Sequence, residues 1–115
     1  MDQPERSRVL SLAAAKRNLP GPNGEHAVTV LRRGSLDVAL SMPRHPIQQA
    51  PHAQDEIYCV LRGRGIFFHN GNREPVEAGD LVFVAAGSEH QFESCSDGFT
   101  VWRVFYGPPG GELPE

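Results

Sequence analysis

An all-β fold, a jelly roll or small closed barrel with one short N-terminal helix, is what this sequence predicts, and three observations carry it. Beyond Gly24 the chain is a series of short alternating apolar runs separated by turn residues. About eight such runs fit into roughly 80 residues, a density that suits jelly rolls and small barrels. Parallel α/β architectures need crossover helices, and the spaces between these runs are too short to hold them.

The elements follow in order. Ser7 to Arg17 reads as the helix, with Ser7 as N-cap and Ala13-Ala14-Ala15 favouring helical backbone. Asn18 to Gly24, rich in proline and glycine, ends it. Strands are expected at Ala27–Leu31 and at Leu36–Leu40, where Leu36, Val38 and Leu40 share a face. Ile57–Leu61 and Ile66–His69 flank Arg62-Gly63-Arg64-Gly65, whose glycines permit a tight turn or a bulge. Asn70-Gly71 is the strongest hairpin signal in the chain. Val76 begins another short strand, and Leu81–Val84 and His90–Glu93 follow. Phe99–Tyr106 is the most apolar strand. The expected layout is one domain: helix and linker over 1–24, barrel over about 25–107, and a Gly/Pro-rich tail over 108–115 that docking would order.

Bulk properties exclude several function classes. A chain of 115 residues holds one hydrophobic core. Its 11 Lys and Arg residues are scattered and outnumbered by 14 acids, so no basic stripe points to nucleic acid. Apolar runs are too short for a membrane span. The start, Met1 to Arg8, lacks the basic n-region and apolar core of a signal peptide, so a cytoplasmic location is expected. Cys59 and Cys95 have no CxxC spacing and read as free thiols.

Chemistry concentrates in two segments. His52 and Glu56 lie four apart at the head of a strand-like run that stops at Gly63, and His90 comes 27 residues further on, after another strand. Their parity lets His52 and Glu56, and likewise His90 and Phe92, point into a barrel while their neighbours point out. Imidazole nitrogen with carboxylate oxygen suits Fe(II), Mn, Ni, Zn or Cu, and two His with one carboxylate matches the non-haem iron triad. Such a set leaves about three octahedral positions for water, dioxygen or a chelating substrate. Asp55 is an alternative ligand, but its opposite parity reads as a solvated turn acid.

These residues and spacings resemble the two motifs of the cupin superfamily of small jelly-roll barrels. His52, Glu56 and Gly63 match the last three positions of the first motif; Gly79, Gly87 and His90 match the second. Fifteen residues, Arg64 to Ala78, separate them, as in compact microbial cupins, and the likeness covers about residues 35–106. Arg44 stands in place of the first motif's opening glycine, Ala85 and Ser94 in place of the second's proline and asparagine. Ala50 occupies the position of the leading histidine, which removes one of the usual four protein ligands. Gln49 or Gln48 could partly fill that gap through an amide oxygen, although alternation turns Gln49 away.

The resemblance implies a double-stranded β-helix that holds a divalent transition metal through His52, Glu56 and His90 and acts on a small organic molecule, with dioxygenase, isomerase or decarboxylase chemistry. The alternative is a non-catalytic barrel that binds or senses a small molecule in a metal-free pocket. Gln49, Ala50, Tyr58 and Phe92 are the expected pocket residues; the remaining aromatics read as core. Arg62 and Arg64 read as solvated. Arg103, a charge in the most apolar strand, needs a partner or an exit to solvent, which suggests a sheet edge or dimer interface. His26, His45 and His69 read as exposed, and Asp80 as the residue that ties down its turn. A homodimer is expected, with the N-terminal segment and Phe99–Tyr106 as the contact.

Overall fold

Alternation sorts this chain's side chains into one apolar set that two sheets can bury between them. The computed structural model describes residues 6–43 and 52–113. Its strands are β1 (Ala27–Arg33), β2 (Leu36–Ser41), β3 (Asp55–Arg62), β4 (Arg64–His69), β5 (Asn72–Glu77), β6 (Leu81–Val84), β7 (His90–Glu93) and β8 (Thr100–Tyr106). They form a five-stranded sheet in the order β1-β2-β8-β3-β6 and a three-stranded sheet in the order β5-β4-β7. Every pairing is antiparallel. This is the expected jelly-roll architecture.

The core lies between the sheets. Tyr58, Val60, Val82, Val84 and Val101 from the larger sheet meet Phe67, Val76 and Phe92 from the smaller one, with Phe99 closing one end. Phe92 packs edge-on to Tyr58 with ring centroids 4.9 Å apart, and also touches Phe67 and Phe99. Each such ring buries a large apolar area, about 1.5–3 kcal/mol apiece against full exposure.

Turn chemistry explains the connections. Asn70 and Gly71 take φ of 46° and 84°, the two left-handed positions of a two-residue hairpin, so His69 pairs with Asn72. Gly63 acts differently from a hairpin turn, because β3 and β4 lie in different sheets. It is the corner between them, at φ 85°, and a Cβ there would come within 2.6 Å of Ser96 Oγ and 3.2 Å of Phe99 Cα. The ladder to β8 shifts register between Val60 and Arg62, which supplies the bulge that the glycines suggested. Ser94, in the second motif's asparagine position, adopts φ 51°, a conformation that asparagine tolerates better than serine.

Four expectations need correction. The helix is only Leu12–Lys16, capped by Ser11, whose hydroxyl accepts from the Ala14 amide at 3.1 Å; Ser7 lies in extended chain before it. β5 begins at Asn72, four residues before Val76, because Pro75 and its polar neighbours sit on an edge strand that needs no second partner. Asp55 is 6% exposed rather than solvated: Oδ1 accepts from the Ala86 amide and Oδ2 from the Glu112 amide. With the Gly110 amide donating to the Ala53 carbonyl at 2.7 Å, this docks the tail as far as Glu112. Finally, Phe99–Tyr106 is no edge: β8 runs between β2 and β3, so Arg103 sits mid-sheet. The sheet's two edges are β1 and β6, and on β6 Leu81 and Phe83 are 71% and 60% exposed.

Candidate metal centre

The turn between β6 and β7 builds the site. The Gly87 amide donates to the His52 carbonyl at 2.8 Å, and the Ala86 amide donates to Asp55, so this one turn holds the chain on both sides of Ala53 and Gln54. Glu56 then enters β3 facing inward, in register with Val84 and Phe105. His90 begins β7, in register with His69. One ligand atom from each of His52, Glu56 and His90 lies within 4.8 Å of the others, with Glu56 and His90 buried and His52 half-buried.

Hydrogen bonding fixes the ring state of His90. Nδ1 lies 3.0 Å from the Ser88 carbonyl, which can only accept, so Nδ1 carries the proton. In the neutral ring Nε2 is then a bare lone pair. The Tyr58 hydroxyl lies 3.2 Å from it and Glu56 Oε1 3.3 Å from it. Burial disfavours the charged form of His90, but the Glu56 carboxylate and the Ser88 carbonyl outweigh that, and the pKa is raised. His52 goes the other way: burial, joined by the charges of His90 and Arg103, outweighs the pull of Glu56 and lowers its pKa. Burial, then Glu56, pushes the Tyr58 hydroxyl far up, so it stays protonated.

Glu56 tests whether a metal fits. Its side chain is 1% exposed, yet neither carboxylate oxygen has a hydrogen-bond partner among the described residues. A buried carboxylate with no hydrogen bond, and only the His90 ring at 3.3 Å to balance it, is costly, and a divalent cation among these three donors would remove that cost. The donor set, two imidazoles and one carboxylate, is one that binds first-row divalent ions. The residues fit the group.

The other predicted residues distribute as follows. Tyr58 is fully buried and links the core to the site. Phe92 is 3% exposed and belongs to the core beneath it. Gln48, Gln49, Ala50, Arg44 and His45 lie outside the described residues. Asp80 ties its turn as expected, accepting from the Glu77 amide at 2.9 Å. Cys59 and Cys95 are free, both half-buried. His26 and His69 are half-buried rather than exposed; His69 faces inward beside His90, with Nε2 2.6 Å from Glu74 Oε2.

Two residues at the site escaped the sequence reading. Phe105 pairs with Glu56, and its ring centroid lies 4.6 Å from that of His52. Arg103 pairs with Tyr58 and with Ala39, both fully buried, so its side chain starts on the inner face. The signal available for both was their even spacing from Val101 in β8.

Fold and site together define a cupin. The cupin domain signature matches residues 39–106, more than half of the chain, and the protein belongs to that family. Among curated relatives it is 40% identical over 60 residues to an uncharacterized protein of Streptomyces coelicolor, 52% of this chain and 57% of that one. It is 44% identical over 42 residues to an oxalate-binding protein of Thermotoga maritima, covering 36% and 35%. It is 35% identical over 66 residues to acireductone dioxygenase of Geobacillus thermodenitrificans, covering 51% and 37%. The chain thus spans about half the length, or less, of these relatives. Among solved structures, a cupin 2 conserved barrel domain protein from Salinispora arenicola superposes with a TM-score of 0.67 at 22% identity, covering 89% and 90%.

Proposed function

We propose that this cupin holds a divalent transition metal through His52, Glu56 and His90 and presents it to a small, oxygen-rich organic ligand. The observation that carries the reading is Glu56: a buried carboxylate whose oxygens make no hydrogen bond among the described residues and whose nearest ring atom, His90 Nε2 at 3.3 Å, belongs to the same cluster of donors within 4.8 Å. When bound, the ion supplies Lewis-acid or dioxygen-activating chemistry. The chain's own residues prepare for it. Ser88 holds His90 in the tautomer whose Nε2 carries the lone pair that would ligate the ion, and the Tyr58 hydroxyl, kept protonated, lies 3.2 Å from that atom, a contact the ion would replace. Phe105 packs on His52 and limits water on that side. The likeness to acireductone dioxygenase supports a metal-dependent oxidoreductase, with isomerase or decarboxylase chemistry open to the same fold.

The test is metal content after purification without added metal, beside His52→Ala and His90→Ala. About one equivalent of transition metal is expected in the wild type, with large losses in both variants. Absence of any bound or bindable transition metal in the wild type would sink the reading. A second reading, binding without turnover, is favoured by the similarity to an oxalate-binding protein. Dioxygen uptake by the metal-loaded protein separates the two.

The assembly we propose is a homodimer, in a cytoplasmic setting. Its support is the apolar edge at Leu81 and Phe83, which in a monomer would stay in water. No helix among the described residues is long and apolar enough to cross a membrane.

A further inference from the structure

Arg103 places a second charge on the inner face of the sheet that carries Glu56. It lies in β8, in the middle of the five-stranded sheet, and its register partners Tyr58 and Ala39 are both fully buried on the inner face. Nε is buried and has no hydrogen-bond partner among the described residues. The guanidinium carbon sits 4.9 Å over the ring centroid of Phe105, and the same ring lies 4.6 Å from that of His52. Phe105 therefore joins the guanidinium to the metal-ligand cluster.

A purely structural account would make Arg103 the counter-ion of Glu56. The geometry argues against that, because both Glu56 oxygens and Arg103 Nε are left without hydrogen bonds although the two residues share one wall. Neither group satisfies the other by a hydrogen bond, so an anion drawn to the metal would meet a guanidinium on the same face of the sheet. Asp37, also on this face, accepts from Arg32 Nε at Oδ2, 3.1 Å, so the two charges of that pair cancel, although its Oδ1 is buried without a hydrogen bond. With a dication in place, the neutral imidazoles and one carboxylate leave a net charge of about +1, and Arg103 raises it to about +2. A site of that sign favours an anion, and a dianion above a monoanionic chelator.

We propose that Arg103, held by Phe105, is the residue that recognises a carboxylate of the ligand, and that the ligand is a small carboxylate bearing a second oxygen on the adjacent carbon. Arginine suits the task because its planar fork takes a carboxylate through two donors. This inference rests on the metal reading above for the ligand's other end, and on Arg103 alone for the carboxylate.

The test compares two chelators on the metal-loaded protein by calorimetry: oxalate, a dianion with carboxylates, and acetohydroxamic acid, which chelates as a monoanion and has no carboxylate. Wild type and Arg103→Met are expected to hold the same amount of metal and to bind acetohydroxamic acid alike, while Arg103→Met loses about ten- to hundredfold in oxalate affinity. Arg103→Lys, which keeps the charge but loses the fork, is expected to fall between them and serves if the methionine variant does not fold. Oxalate affinity unchanged in Arg103→Met overturns the assignment. So does an equal loss for both chelators or of the metal itself, which would mark Arg103 as structural. If the wild type takes up no metal, the metal reading fails and the titration is repeated on the metal-free protein. Oxalate binding that Arg103→Met abolishes then sustains the Arg103 assignment, and absence of oxalate binding to the wild type ends it.

Discussion

Replacing Glu56 by Gln should change the protein's stability in opposite directions with and without metal. The carboxylate is 1% exposed and neither oxygen has a hydrogen-bond partner among the described residues. Keeping an ionised group in such a place costs several kcal/mol even after relaxation. An unsatisfied amide costs about 1–3 kcal/mol. The His90 ring at 3.3 Å, whose charged form the site favours, offsets part of the difference. A gain of about 1–2 kcal/mol is therefore expected for Glu56→Gln without metal, and about 4 °C per kcal/mol for a chain of this size makes that roughly 4–8 °C in Tm. Metal at about a hundred times its Kd should add about 2.7 kcal/mol to the wild type. The variant, lacking the anionic ligand, should gain less than about 1 kcal/mol. Thermal unfolding of both proteins, after chelator treatment and again with manganese or zinc, reads the crossing directly. A variant that is less stable without metal would show that Glu56 is well paired in the apoprotein, and equal metal increments would show that it is not a ligand; either outcome refutes the reasoning.

Histidine titration should give the metal-free protein a stability maximum near pH 6.5, the ordinary histidine value. His90, with its pKa raised, stabilises fully below that value and loses its contribution as pH rises through the folded pKa; His52, with its pKa lowered, costs stability as pH falls below it. Chemical denaturation from pH 5 to 8 in chelator checks this, and a monotonic profile would contradict it. Asp55→Ala removes two charge-assisted acceptors, to Ala86 and Glu112, and should cost about 3 kcal/mol in urea while speeding amide exchange at Glu112; a cost below about 0.5 kcal/mol would show that the tail is held by other contacts. Phe83→Glu puts a charge on the exposed edge and should convert a dimer into a 12.6 kDa monomer by light scattering. A wild type already at that mass would remove the dimer.

Much of the fold was legible because the strands obey period two and the turns carry specific residues. Asn70-Gly71 made the β4–β5 hairpin readable, since both positions need left-handed backbone. The metal cluster was legible because two spaced motifs fix which strands meet, and the β6–β7 turn then places His90 beside His52 and Glu56. Asp55 was misread for a tertiary reason. Its neighbours in sequence say turn acid, whereas its partners, Ala86 and Glu112, lie 31 and 57 residues away. The helix cap was misplaced because Ser7 and Ser11 offer the same local chemistry, and the structure uses Ser11, the serine separated from the alanines only by Leu12.

Arg103 shows where period-two reasoning ends. In β8 both alternating sets are apolar, Val101 and Phe105 on one face and Trp102 and Val104 on the other. Hydropathy cannot tell the inner face from the outer in such a strand, as in any strand covered on both sides. Register decides it instead, through Tyr58 and Ala39, which are fully buried and stand on either side of Arg103. An arginine placed there by chance would be expected to snorkel to water along its aliphatic stem. This one keeps Nε buried and its guanidinium over Phe105. A half-buried cation stacked on an aromatic that also packs against His52 is better explained by a ligand it would recognise than by what the fold needs.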